Sequence, residues 1–195
     1  QIILESIKKK NHNLSNNLKL NILKELSGHE RLPSKLSLNI ARINSEEVRQ
    51  NDFFFAIKGK KNDGNKFVNH AFKNKASIAV VSRIQKKFPI NRQIKVGNTL
   101  KFLTNFSKIF RTNICTNLIA ITGSCGKTTL KELLGETLGK VSKVSISPKS
   151  YNNKYGVPLS LLNLRENDKF GVLEVGMDKK GEIDYLSRII QPDVS

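Results

Sequence analysis

The feature that most constrains this chain is a short glycine-containing segment between an apolar run and a helical pattern. Residues 118–121 read Leu-Ile-Ala-Ile, which is typical of a buried strand, and a helix is predicted from Lys127 to about Leu138. A strand that turns through glycines into a helix lets backbone N–H groups converge on a phosphate at the positive end of the helix dipole. The segment between them, here called the Gly-Lys-Thr loop, is Thr122-Gly123-Ser124-Cys125-Gly126-Lys127-Thr128-Thr129.

The residue types of this loop indicate the chemistry of a bound nucleoside triphosphate. In loops of this kind the lysine contacts the β- and γ-phosphates and the hydroxyl that follows it binds Mg²⁺, so these roles fall to Lys127 and Thr128. The general pattern has glycine where this chain has Ile121, so the loop is a variant. Cys125 allows two interpretations, a thiol activated by the helix end and Lys127 or a small residue that fits the turn.

A metal-bound triphosphate also requires a carboxylate, commonly at the end of a neighbouring buried strand. Glu174 lies near the end of the apolar run 170–175. An ionised glutamate on such a strand is costly unless it is paired or binds a metal, which makes Glu174 the candidate second ligand of Mg²⁺. The alternative is a glutamate on an edge strand that faces solvent.

The rest of the chain alternates strand and helix patterns, which predicts an α/β layered fold. Helices are expected near 18–26, 67–72, 99–110, 156–164 and 181–189, and strands within 36–43, 53–57, 77–81, 94–96 and 144–146. We expect a tail or linker over residues 1–18, a small α/β domain over 19–112, and the first part of a P-loop α/β domain with a mostly parallel sheet over 113–195.

Charge is distributed unevenly along the chain, which has a formal net charge of +18. Residues 1–112 contain 23 basic and 7 acidic side chains, whereas residues 113–195 contain 11 and 9. A basic excess of this size suggests a nucleic-acid partner or an anionic membrane. However, 26 of the 34 basic residues are lysine and 21 residues are asparagine, a composition that an AT-rich genome produces without any binding role.

The cysteines and the hydropathy favour a reducing cytoplasm. Cys115 and Cys125 form no metal-binding or disulfide pattern, and no apolar run approaches the length of about 20 residues that spans a bilayer. We therefore expect a cytoplasmic protein with no membrane insertion. Separately, we expect the protein to be a monomer. The first residue is not Met, which indicates a fragment.

Four stretches, in order, resemble the ATP-dependent Mur ligases of peptidoglycan synthesis. The Gly-Lys-Thr loop matches the Thr-Gly-x-x-Gly-Lys-Thr variant of that family. The others resemble the uridine-nucleotide domain, the Asn-Asn-x-x-Gly-x-Pro segment and a Glu-x-Gly-x-x-x-x-Gly-Glu-Ile element, at residues 51–68, 151–160 and 174–183. The last two elements are most similar to the branch of the family that adds D-alanyl-D-alanine.

This resemblance implies a two-step amide ligation with ATP and Mg²⁺ as cofactors. UDP-MurNAc-tripeptide is activated as an acyl phosphate, which the amine of D-Ala-D-Ala then attacks. Lys127 and Glu174 are the implied catalytic residues, and Thr128 and Glu174 the metal ligands. The substrate contacts implied are Ser45, Lys58, Asn152 and Asn153. The asparagine pair has the alternative role of capping a turn.

Three departures from the family pattern bear on these assignments. Asn44-Ser45-Glu46 stands where the family often has Asp-Ser-Arg, so Glu46 is not expected to contact a diphosphate and Lys58 or nearby amides take that role. Lys179 stands where the family often has histidine. The chain ends at Ser195, before the expected remaining strands, the second-metal histidine, the modified lysine and the adenine-contacting domain.

Two alternative functions remain at this point. One is another Mur ligase, such as the tripeptide-forming branch, which tends to have Ser-Ser-His after the glutamate. The other is a basic P-loop protein that binds nucleic acid, for which affinity would fall steeply with salt. The run Phe53-Phe54-Phe55 argues against the latter because it resembles a core strand and not a spaced stacking platform.

Overall fold

The computed structural model describes residues 18–28, 32–33, 36–59, 62–149, 151–165 and 167–195. Two compact units make up the chain, one ending at Phe106 and one spanning Ser107–Ser195. Apart from Leu18, the predicted tail of residues 1–18 lies outside the described residues. Among the described residues there is no helix with the length and apolar character needed to cross a membrane.

The first unit contains a four-stranded parallel sheet with its strands in chain order. The strands are β1 Ala41–Arg42, β2 Phe53–Phe55, β3 Ile78–Val81 and β4 Gln93–Lys95. The helices are α1 Leu18–Ser27, α2 Val68–Lys73 and α3 Thr99–Thr112, and the division between the two units falls within α3. Two 3-10 turns, Gly64–Phe67 and Ile90–Arg92, precede α2 and β4.

The aromatic strand β2 forms the centre of this unit's core. Phe53, Phe54 and Phe55 are fully buried, as expected for a strand of a parallel sheet that is covered on both faces. Phe53 contacts Phe55 and Phe106, with ring centroids 5.6 and 6.2 Å apart. Phe54 belongs to a separate cluster with Val48, Val68 and Ala71. These rings are therefore core residues, which confirms the interpretation of this run.

The strand predicted between residues 36 and 43 is much shorter in the structure. Only Ala41 and Arg42 pair with β2, and residues 36–40 lie outside any strand. The buried carboxylate of Asp52 accepts hydrogen bonds from Ile40 N at 3.1 Å and Arg49 N at 3.0 Å. Because this side chain takes the backbone donor of Ile40, the ladder does not extend toward Leu36.

Gly64 provides a test of packing in this unit. A Cβ at Gly64 would lie 2.6 Å from both Ala56 C and Ile57 N, which are backbone atoms and have little freedom to move. We expect Gly64→Ala to lower the free energy of unfolding by about 1–3 kcal/mol. Gly97→Ala is the matched control, since a Cβ there meets nothing within 4 Å. Chemical denaturation followed by circular dichroism measures both, and equal stability would contradict the close approach.

The second unit contains a three-stranded parallel sheet in which the last strand lies in the middle. Its strands are β5 Asn117–Ile121, β6 Val144–Ile146 and β7 Phe170–Glu174, in the order β5-β7-β6. The helices are α4 Lys127–Gly139, α5 Gly156–Leu162 and α6 Glu182–Ile190. Both units are thus α/β, as predicted, and the parallel sheet expected for the second unit is confirmed. In such sheets, ligands bind beyond the carboxyl ends of the strands.

Helix α4 packs with a face that differs from the one its sequence suggests. An amphipathic helix would bury its leucines, yet Leu130 and Leu133 are 46% and 58% exposed. The buried positions are Lys131 and Gly135. A Cβ at Gly135 would lie 2.7 Å from Ile146 Cγ2, so the glycine lets α4 approach β6 closely.

Candidate functional site

The Gly-Lys-Thr loop follows Ile121 at the carboxyl end of β5, and its last three residues form the start of α4. Gly123 and Gly126 have φ angles of 149° and 76°, which side-chain-bearing residues rarely adopt. Lys127 Nζ donates to Gly123 O at 2.6 Å, so the lysine side chain folds back over the loop. Residues 122–126 are exposed, Cys125 included, and the first amides of a helix have no partner within it. The loop can therefore receive an anionic ligand.

Strand pairing brings Glu174 to this loop. Ile121 and Glu174 are register partners in the parallel β5-β7 pair, so the strand end that leads into the loop lies beside the carboxylate. Thr128 Oγ1 donates to Glu174 Oε2 at 2.8 Å, and Asn152 Nδ2 donates to Glu174 Oε1 at 2.9 Å. Glu174 is 2% exposed. Three side chains singled out in the sequence therefore meet at one point.

The chemistry of these side chains fits Mg²⁺. Both oxygens of the buried Glu174 carboxylate accept from neutral donors, and Thr128 adds a hydroxyl oxygen. No group of three or more His, Cys, Asp or Glu side chains suited to a metal occurs in the described parts of the chain. Mg²⁺ does not require such a group, because it is usually bound through one or two carboxylates together with substrate phosphates and water.

The two adjacent asparagines have different structural roles. Asn152 contacts Glu174, whereas Asn153 Oδ1 accepts from Tyr155 N and Gly156 N at 3.0 and 3.1 Å at the start of α5. The turn-capping alternative thus describes Asn153, and substrate contact by either residue stays a prediction. Gly176 N donates to Asn152 O at 2.7 Å, which holds the Asn152 backbone next to β7.

Two residues beside the site were not identified from the sequence. Lys131 is fully buried, and its Nζ donates to Ser147 O and Lys149 O, both at 2.9 Å. Ser147 Oγ accepts from Glu174 N at 3.1 Å. A lysine in a helical pattern is usually a surface residue, and nothing in the spacing distinguishes Lys131 or Ser147.

The predicted uridine-nucleotide residues Ser45 and Lys58 lie apart within the first unit. Lys58 is exposed and lines a cavity of about 530 Å³ with Asp63, Arg83 and Thr99, among others. Ser45 is buried, with its Oγ 3.0 Å from His70 Nδ1, and is not among the described lining residues of this cavity.

The cavity is polar and carries opposite charges on its wall. Arg83 pairs with Asp63 at 2.6 Å, and the arginine side chain is 70% exposed. Hydrogen bonds from the side chain and backbone N–H of Asn65, together with Arg83, lower the pKa of Asp63 below its usual value. Asp63 lies in the stretch 51–68 that resembles the uridine-nucleotide domain, whereas no pattern in the sequence pointed to Arg83.

Comparison with known proteins gives consistent matches over most of the chain. Residues 121–195 match the family model of the Mur ligase middle domain. The chain is 36% identical over 152 residues to UDP-N-acetylmuramoyl-tripeptide–D-alanyl-D-alanine ligase of Bacillus subtilis (strain 168), covering 77% of this chain and 33% of that protein. The protein of the same name from Buchnera aphidicola subsp. Acyrthosiphon pisum is 36% identical over 159 residues, covering 82% and 34%.

Solved structures agree with these matches. UDP-N-acetylmuramoylalanyl-D-glutamyl-2,6-diaminopimelate–D-alanyl-D-alanyl ligase from Acinetobacter baumannii superposes with a TM-score of 0.77 and 31% identity, covering 92% of this chain and 41% of that one. MurF ligase from Thermotoga maritima in complex with ADP gives a TM-score of 0.65 and 34% identity, with coverage of 80% and 36%.

Fold and site together define an α/β protein with the Gly-Lys-Thr loop at the carboxyl end of a parallel strand. The matches are more specific, and the chain belongs to the Mur ligase family. Within that family it resembles the ligases named for D-alanyl-D-alanine addition. The chain spans about a third of the length of these two curated relatives.

Proposed function

We propose that this chain carries the UDP-sugar-binding and ATP-binding elements of a ligase that adds D-alanyl-D-alanine to UDP-MurNAc-tripeptide. The observation that carries the proposal is the contact of Thr128 with the buried Glu174 beside the Gly-Lys-Thr loop. Residues 19–112 form the UDP-sugar domain in this proposal, and residues 113–195 belong to the central ATP-binding domain. The substrate names come from the relatives that the chain resembles.

The reaction is two successive displacements. The terminal carboxylate oxygen of the UDP-MurNAc-tripeptide attacks the γ-phosphorus of ATP, and the bond to the β-phosphate oxygen breaks to release ADP. The amine of D-Ala-D-Ala then attacks the acyl carbon, loses a proton and displaces inorganic phosphate. In both steps the protein has to align the reactants and stabilise phosphoryl charge.

The described residues have distinct tasks in this scheme. Lys127 leaves Gly123 O to neutralise the β- and γ-phosphates, while amides of residues 122–129 bind phosphate oxygens. Thr128 and Glu174 would hold Mg²⁺, which would screen the charge between the phosphates. Asn152 orients Glu174 through its hydrogen bond. Asn153 is proposed at the edge of the substrate site.

The uridine nucleotide is proposed to bind at the cavity that Lys58 and Arg83 line. Both cations lie beyond the carboxyl ends of parallel strands, where anionic ligands of such sheets bind. In this proposal, Lys58 and Arg83 supply the positive charge that an arginine often brings in the family at the position where this chain has Glu46. Contact of Ser45 with the uridine nucleotide stays a prediction, since Ser45 is not among the described residues that line this cavity.

Ligand binding by the intact chain tests this function. We expect UDP-MurNAc-tripeptide to bind in calorimetric titration, and Lys58→Ala to weaken it about tenfold through loss of a phosphate contact. Lys73→Ala removes the same charge elsewhere in the unit and is the matched control, expected to bind normally. Tight oligonucleotide binding at physiological salt without UDP-sugar binding would contradict the proposal and favour a nucleic-acid partner.

A further inference from the structure

We propose that Lys131 is a positioning residue for the Mg²⁺ ligand Glu174, an inference that rests on the function proposed above. Lys131 lies on α4, two residues after the end of the Gly-Lys-Thr loop, and is fully buried. Burial of a lysine is rare and costly, so its ammonium group requires a structural or chemical reason.

The ammonium group is fully occupied by protein acceptors. Its Nζ lies 2.9 Å from Ser147 O, 2.9 Å from Lys149 O and 3.2 Å from Glu132 Oε1. An ammonium group has three donors, and these three acceptors account for all of them. Lys131 is therefore bound to the fold in a way that leaves no donor for a phosphate, in contrast to the partly exposed Lys127.

The two carbonyls that Lys131 holds flank a sharp turn. Pro148 lies between them and has no N–H of its own, and Lys149 has a φ angle of 48°, a strained value for a residue with a side chain. Tyr151 N donates to Pro148 O at 3.1 Å and completes the turn. The charge of Lys131 stabilises both carbonyl dipoles in this conformation.

Residues on either side of this turn, Ser147 before it and Asn152 after it, contact Glu174. At one end, Ser147 Oγ accepts the hydrogen bond from Glu174 N, and Ser147 N donates to Val172 O at 2.9 Å. At the other end, Asn152 donates to Glu174 Oε1 and accepts from Gly176 N. Lys131 thus links α4 to this turn. The residues flanking the turn fix the positions of both the backbone and the carboxylate of Glu174 through their hydrogen bonds.

The expected consequence is specific to the metal. If Lys131 aligns Glu174, its loss should disturb Mg²⁺ binding and leave the contacts of Lys127 and the loop amides with the triphosphate intact. Residues that orient a metal ligand typically affect metal affinity by about 10–100-fold. A merely structural lysine would instead lower thermal stability and reduce binding with and without metal in equal proportion.

The test compares Lys131→Met with Lys140→Met, which removes an exposed lysine just after the same helix. Calorimetric titration of ATP into the full chain, with EDTA or increasing MgCl₂, measures the Mg²⁺ dependence, and circular dichroism checks folding. For Lys131→Met we expect the Mg²⁺ concentration for half-maximal effect to rise about tenfold, with metal-free ATP affinity changed by less than about twofold. Lys140→Met should match the unmodified chain. A folded Lys131→Met with unchanged Mg²⁺ dependence, or with equal losses in both conditions, would overturn the inference.

If Lys131→Met does not fold, Ser147→Ala tests the same link between the turn and Glu174. Ser147→Ala removes the acceptor for Glu174 N and leaves the carbonyl that Lys131 binds. The Mg²⁺ concentration for half-maximal effect should rise by about threefold, in line with the loss of one hydrogen bond. A folded Ser147→Ala with normal Mg²⁺ dependence would then refute the link. Failure of the unmodified chain to bind ATP under either condition would instead refute the proposed function, and this inference with it.

Discussion

Replacing Lys127 with alanine should weaken binding of Mg–ATP by about 100-fold, because it removes a charge-assisted contact with the β- and γ-phosphates. Lys127 is poised for this contact, with its Nζ only 2.6 Å from Gly123 O across the exposed loop. Calorimetric titration of the full chain measures the effect. The loss should appear with and without Mg²⁺, since the ammonium group interacts with phosphate directly.

Lys140→Ala is the control for this prediction, because Lys140 follows the same helix and its side chain is 72% exposed. Its removal alters net charge by the same amount without touching the loop, so its affinity should stay within about twofold of the unmodified chain. An affinity for Mg–ATP that is equal in the two variants would show that Lys127 does not contact the nucleotide.

Replacing Glu174 with glutamine should abolish the contribution of Mg²⁺ to ATP binding. The substitution preserves size, and the amide oxygen can still accept from Asn152 while the amide N–H2 donates to the Thr128 hydroxyl. It removes the negative charge that a hard cation requires. We expect Mg–ATP affinity to fall about 10–100-fold, to the level of metal-free ATP. Titrations with MgCl₂ and with EDTA should then give the same dissociation constant.

Glu136→Gln is the matched variant, since Glu136 lies on α4 with its side chain 72% exposed and pairs with Lys140. It should retain the full response to Mg²⁺. Retention of that response by Glu174→Gln would contradict the assignment of Glu174 as a metal ligand. The alternative of a glutamate on an edge strand that faces solvent is wrong, because Glu174 is buried.

Local patterns predicted most of the secondary structure. The apolar runs at β2, β3, β5 and β7 and the helical spacing of α1 and α3 all correspond to observed elements. The prediction was wrong where side chains compete for backbone groups, as Asp52 does at Ile40. The packing of α4 could not be predicted from its own pattern, since the close contact of Gly135 with Ile146 depends on a strand that lies elsewhere in the chain.

The candidate site was only partly predictable for a related reason. Lys127, Thr128 and Glu174 were identified because loops of this kind and carboxylates on apolar strands have strong local signals. Lys131 has no such signal, because its acceptors are backbone carbonyls, which every residue carries. Arg83 likewise becomes notable only through the cavity that it lines.

The sequence by itself determined the order of strand, loop and helix around residues 117–139, since glycine and apolar periodicity act within a few residues of each other. Only the tertiary structure decided which carboxylate meets that loop. The parallel register of Ile121 with Glu174 joins segments far apart in the chain and places the carboxylate 2.8 Å from Thr128. Parallel strands require a long crossover, so their register is set by the packing of the whole unit and not by any local pattern.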